Sequence, residues 1–161
     1  MPPLSIQASA LLSDPATHKV VVAGGEESRA RAELRPSLRL LEDGTLAYAE
    51  PFEASEANSL MLALHWAGKA AEILLSAPDG RAWRITAAPR RYLYTGPLFQ
   101  SFYREARAQL GPNSQVGGVW VLEPLKEEDA GYEARKRIED EARPHYRYLD
   151  RSDVTPNGAR A

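Results

Sequence analysis

The chain has 161 residues, 43% of them hydrophobic and 26% charged, which suits one domain with a real core and makes two independent domains unexpected. Twenty Lys and Arg against 22 Asp and Glu give a formal charge of −2, which speaks against general nucleic-acid binding because that needs a basic face. The absence of cysteine excludes disulfides, thiolate metal sites and cysteine nucleophiles, no run approaches the roughly 20 apolar residues of a membrane span, and nothing reads as a secretory leader, so the expected location is cytoplasmic.

Leu4, Ile6, Ala10, Leu11 and Leu12 can share one face of a short helix that Asp14-Pro15 ends. His18 to Ala23 (HKVVVA) reads as a strand, followed by a turn at Gly24-Gly25. From Ser28 to Leu34 the residues alternate. Ala30, Ala32 and Leu34 are expected on the buried face of an antiparallel strand, with Arg29, Arg31 and Glu33 outside. Pro36 marks a bend, bulge or edge position before a run from Ser37 to Leu41, and Asp43-Gly44 is a hairpin signal.

The stretch from Gly44 to Lys69 reads as strand, short capped helix, strand. Thr45 to Ala49 is the first β run, Ser55 opens a helical turn, and Leu60 to Trp66 is a second, more apolar run that ends at Gly68-Lys69. Lys69 to Ser76 and Arg81 to Ala87 then flank the turn Ala77-Pro78-Asp79-Gly80, and Arg90 to Tyr94 is another short strand. Pro97 fits the first turn of a helix carrying Phe99, Phe102, Tyr103, Ala106 and Leu110 at helical spacing, closed by Gly111-Pro112. Val116 to Leu122 is the last clear strand. Lys126 to Arg143 is charged, helix-favouring and reads as a solvated helix, and the polar tail begins at Ser152. About seven short strands, hairpin connections and no βαβ unit point to a closed antiparallel barrel or sandwich with accessory helices.

Few residues form a chemical constellation. His18, His65 and His145 lack metal-ligand spacing, the glycine pairs lack a nucleotide-binding context, and no serine sits in a nucleophile elbow. Ser55 is either a simple helix cap or the cap of a helix end that also holds a phosphate, with Asn58 orienting the turn or standing as a surface polar group. Arg35, Ser37 and Arg39 alternate along one strand, as solvated edge residues or as donors to a ligand. Lys69 is a strand-end charge or a donor reaching into a site. Trp66, Trp83 and Trp120 suit a core or an interface, or one of them a stacked ring.

The order of several short motifs resembles the flavin split-barrel superfamily, the pyridoxamine 5′-phosphate oxidase-like proteins and the small bacterial FMN-binding proteins of that fold. Ser37-Leu38-Arg39-Leu40-Leu41 leads through Asp43-Gly44-Thr45 to Ala54-Ser55-Glu56-Ala57-Asn58, which is similar to the family's phosphate turn. Leu62 to Trp66 with Gly68-Lys69 is similar to the next barrel strand. Trp83 to Ala87, Tyr94-Thr95-Gly96-Pro97-Leu98-Phe99 and Val119 to Pro124 follow in the family's order, and Pro144 with Tyr148-Leu149-Asp150-Arg151 resembles an ending of one branch. The likeness covers about residues 18–125.

The resemblance implies a mainly β fold, a six-stranded antiparallel split barrel with accessory helices, and a homodimer holding FMN at the subunit interface. It divides the chain into a flavin-binding barrel over 1–125, a charged helix and extension over 126–151 packed on the barrel, and a flexible tail over 152–161. Ser55 and Asn58 match the phosphate turn, Arg35 and Ser37 the strand that faces the flavin, and Lys69 a donor near it. Ala54 and Glu56 stand where relatives often carry Lys or Arg, so the cation expected beside the phosphate is Arg35 or Lys69. The residues that read pyridoxal phosphate do not map, and vitamin B6 oxidation is not expected. Two functions follow: a flavin-dependent redox protein or reductase whose isoalloxazine does the chemistry, or a non-enzymatic dimeric module that has lost FMN or binds it weakly. Whether the chain is an enzyme, and what donates and accepts electrons, stays open at this stage.

Overall fold

Two long partners, β6 (Ala82–Leu93) and β7 (Gly118–Asp129), run antiparallel through the middle of a single sheet. The computed structural model describes residues 4–24 and 30–131. Within them lie α1 (Ile6–Ser13), β1 (His18–Ala23), β2 (Arg31–Leu34), β3 (Arg39–Leu40), β4 (Leu46–Glu50), α2 (Glu56–Ala67), β5 (Ala71–Ser76), β6, α3 (Pro97–Leu110) and β7. The strand order is β2-β1-β5-β6-β7-β4-β3 and every pairing is antiparallel. The curled sheet is a split barrel of seven strands, where six were expected. At its open side the corner between β2 and β3 leans on β1: Arg35 N donates to Lys19 O at 2.8 Å, and Lys19 Nζ donates to Leu38 O at 3.1 Å.

Burial differs along the sheet for a simple reason. In β5 alternate residues are buried, so one face meets the core. In β4 and the first half of β7 nearly every residue is buried, because both faces are covered. Leu46, Tyr48, Trp120 and Leu122 join Ile73, Leu75 and Ile85 in the main core, while Ala47, Val119 and Val121 meet Phe102 of α3 on the other side. Among the described residues no helix is long and apolar enough to cross a membrane.

Four local expectations are corrected. Leu60 to Trp66 is not a strand but the body of α2, which runs from Glu56 to Ala67. The segment contains Leu, Met, Ala, His and Trp and no β-branched residue, and Ala57, Asn58, Met61 and Leu64 are buried at helical spacing. Gly68 ends it in the left-handed region at φ 68°, donating to His65 O and Leu64 O. Arg90 to Tyr94 is not a separate strand, since β6 continues through Pro89. A register shift between Pro89 and Arg91 accommodates a residue that has no N–H for the ladder, and a second shift, between Thr86 and Ala87, skips Leu125 of β7.

Lys126 to Asp129 belongs to β7 rather than to a helix, paired with Trp83 to Thr86. Residues 132–143 of that expected helix, the 144–151 motif and the tail from 152 lie outside the described residues. Finally, Ala32 and Leu34 are exposed, because β2 is a short edge strand and none of the described residues is laid over that face.

Candidate functional site

The polar centre of the molecule is Glu50, at the end of β4. Its side chain is 1% exposed, and its carboxylate accepts from Arg35 Nη2 at 3.1 Å to each oxygen and from Ser55 Oγ at 3.2 Å. Arg35 is itself buried, donates a further bond to Leu34 O at 2.9 Å and lies 6.0 Å from the centre of the Tyr48 ring. Ser55 is the N-cap of α2: its hydroxyl accepts from Asn58 N at 3.0 Å while donating to Glu50. The loop 51–54 between them is held against β7. Gly117 N donates to Glu50 O at 2.7 Å, and a Cβ on Gly117 would stand 2.6 Å from Glu53 N, so only glycine fits there.

Four of the five residues expected to form a site lie around this loop. Asn58 is completely buried, donating Nδ2 to Glu53 O at 2.8 Å and to Tyr92 Oη at 3.4 Å, and accepting from Trp120 Nε1 at 2.8 Å. It is a structural pin for the turn, not a surface group. Ser37 Oγ accepts from Ala49 N at 2.9 Å and so stitches the β2–β3 corner to β4. Lys69 stands apart. It follows Gly68 at the far end of the twelve-residue α2, about 18 Å along the axis from Ser55, so within one protomer the two do not share one phosphate.

The surroundings carry no acid–base pair. Burial, followed by the Glu50 charge, raises the Tyr48 phenol far out of its ordinary range. Burial and the Glu53 charge push the Tyr92 phenol up to about 12, against a smaller opposing effect of the Asn58 bond. Both are neutral phenols at physiological pH. His65 Nδ1 lies 2.8 Å from Pro89 O, which assigns its proton to that nitrogen, and the ring is packed edge-on between Trp66 and Trp120. Among the described residues no group of three acidic or histidine side chains could hold a metal ion.

Two contiguous cavities open beside the loop. The larger, about 670 Å³, runs between loop 51–54, Tyr103 and Arg107 of α3, and the segment 112–117. The smaller, about 170 Å³, is mainly apolar; Leu34, Phe102 and Leu110 line it together with Arg35 and Ser37. Pro51, Gln115 and Val116 border both. Arg39, beside the expected set, turns to α3 instead, bonded to Glu105 at 2.5 Å and Ser101 at 2.9 Å and lying over the Phe102 ring.

A phosphate at the start of α2 does not fit this donor set. Arg35 is matched by Glu50, and Arg31 by Glu33 at 2.9 Å and Glu56 at 3.1 Å. Among the described residues Arg31, Arg35 and, across the larger cavity, Arg107 stand against Glu33, Glu50, Glu53 and Glu56, and a dianion there meets more negative than positive charge. Glu50, which organises all of this, was not among the expected site residues. Its only signal in the sequence is a carboxylate closing an otherwise apolar strand.

No protein-family model matches the chain, and no curated protein matches it significantly. Solved structures do. HupZ of Group A Streptococcus aligns with TM-score 0.61 and 13% identity over 80% of this chain and 94% of its own. An FMN-binding protein from Syntrophomonas wolfei aligns with TM-score 0.63 and 12% identity over 77% and 84%. A Listeria innocua protein with a provisional pyridoxamine 5′-phosphate oxidase name aligns with TM-score 0.57 and 10% identity over 79% and 99%. The chain therefore has the fold of the pyridoxamine 5′-phosphate oxidase-like and FMN-binding split barrels, and at these identities the likeness is one of fold.

Proposed function

We propose that this chain is a flavin-binding split-barrel protein that works in the cytoplasm as a homodimer, with FMN lying in the cleft beside loop 51–54 where two protomers meet, and that it serves the reduction of a small acceptor. The observation that carries the reading is the fold shared with an FMN-binding protein over most of both chains. The cleft supports it: an apolar cavity walled by Arg35 and Ser37 leads into a wider groove, which suits a flat ring with polar edges. The dimer is supported by Leu34 and Leu110, which border that cavity at 59% and 78% exposure.

The flavin ring supplies the redox chemistry when bound, and the chain supplies position and a dry wall. Arg35 and Ser37 act at the cavity wall, while Ser55 and Asn58 shape the loop from behind. The ring, not the phosphate, is the main handle. Titration of purified protein with FMN, followed by quenching of flavin fluorescence, tests this: saturable quenching in the micromolar range is the expected result, with a dimer by light scattering. Absence of uptake overturns it and leaves the second reading, a dimeric binding module without flavin, which the closed Arg35–Glu50–Ser55 network favours.

A further inference from the structure

We infer that Glu50 fills the anion position at the start of α2 from within the chain, and that it thereby makes the protein indifferent to a ligand's phosphate; this rests on the flavin reading above. A helix start with a hydroxyl cap and a guanidinium beside it is a place where an anion settles. Here the anion is a side chain. The carboxylate takes both bonds from Arg35 Nη2 and the proton of Ser55 Oγ, and it is almost completely buried.

The position is fixed from both sides. Glu50 is the last residue of β4, opposite Gly118 in the ladder, and its carbonyl accepts from Gly117 N at 2.7 Å. The backbone of Glu50 is therefore fixed at the end of the strand, and its carboxylate is held in place by Arg35 and Ser55. A phosphate that reached Arg35 from the cavity would find its guanidinium already paired with Glu50 behind it, and it would have to separate a buried ion pair to take its place. Indifference to a phosphate is thus built into one residue. FMN and riboflavin, which differ only in the phosphate, are bound alike. Glu50→Ala removes the internal anion, keeps Arg35 and Ser55, and frees volume next to the cavity that Arg35 lines.

The experiment is the pair of dissociation constants for FMN and riboflavin on wild type, Glu50→Ala, Glu50→Gln and Ser55→Ala. In wild type the two constants agree within about threefold; in Glu50→Ala FMN is favoured by about tenfold or more, equal to about 1.4 kcal/mol. Glu50→Gln, which removes charge but not volume, moves the same way by less, and it carries the comparison if Glu50→Ala does not fold. A wild type that prefers FMN by about tenfold and loses the preference in Ser55→Ala overturns the inference. If wild type binds neither flavin, the functional reading fails on its own and inorganic phosphate decides the role of Glu50. A phosphate-dependent rise in Tm in the Glu50 variants, absent from wild type, supports it. An equal rise in wild type, or none in the variants, overturns it.

Discussion

The indole N–H of Trp120 donates to Asn58 Oδ1 at 2.8 Å, and both side chains are fully withdrawn from solvent. The bond ties the first turn of α2 to the start of β7, and the amide end of Asn58 holds Glu53 O in the loop between. Asn58→Ala strands a buried indole donor and a loop carbonyl together. The expected loss is about 2–4 kcal/mol, read as a lower urea midpoint at unchanged slope.

Arg35 and Glu50 depend on each other. Arg35→Ala leaves a buried carboxylate with Ser55 as its remaining side-chain donor, and the expected cost is about 3–5 kcal/mol. The double variant Arg35→Met, Glu50→Leu leaves no charge behind and recovers most of that loss. A thermodynamic cycle over the two singles and the double measures the coupling; additive effects would contradict the buried pair.

Ser55 and Lys69, at opposite ends of α2, respond differently. Ser55→Ala removes the cap bond to Asn58 N and one donor to Glu50, for an expected loss of about 1–2 kcal/mol in thermal or urea unfolding. Lys69→Ala, on an exposed residue after the helix has ended, stays within about 0.5 kcal/mol of wild type and leaves the FMN constant unchanged. A drop in FMN affinity in Lys69→Ala alone would place that ammonium on the ligand.

A pH dependence is built into the join between α1 and β7. Glu127 accepts from Ser5 N at 3.0 Å, Ser5 Oγ at 2.5 Å and Trp83 Nε1 at 2.8 Å. Burial raises its carboxyl, but the three donors together outweigh burial and hold it below the ordinary value. A depressed folded value means that the contribution is complete above the unfolded value, about 4.3, and is lost as pH falls through the folded one. The stability gap between wild type and Glu127→Gln should be constant from neutral pH to about 5 and shrink below about 4.3. A gap that persists unchanged into strong acid would rule this out.

What was legible in the sequence was local. The turns at Asp43-Gly44 and Asp79-Gly80 are made by their own side chains, Asp43 Oδ1 accepting from Thr45 N and Asp79 Oδ1 from Arg81 N, so nearest neighbours suffice to read them. The cap at Ser55 was legible for the same reason. The second half of α2 was not: Leu60 to Leu64 is apolar throughout, and such a run has no period that separates a buried helix from a strand. Nor was the continuity of β6, because the irregularity beside Pro89 is set by pairing with β7, 30 to 33 residues along the chain. The motif order pointed to the barrel and to the neighbourhood of the loop, but not to Glu50, whose partners lie 15 residues before it and five after it and meet only through the fold.

The Glu50 carboxylate has one more consequence, for the life of the protein when it carries nothing. In a barrel whose buried cation waits for a cofactor's phosphate, the empty form holds an unmatched charge, and it gains stability as ligand binds by mass action. Here Arg35 is neutralised before any ligand arrives. With that pair closed within the chain, protein purified without flavin is expected to unfold in a single cooperative transition, as a urea titration would show.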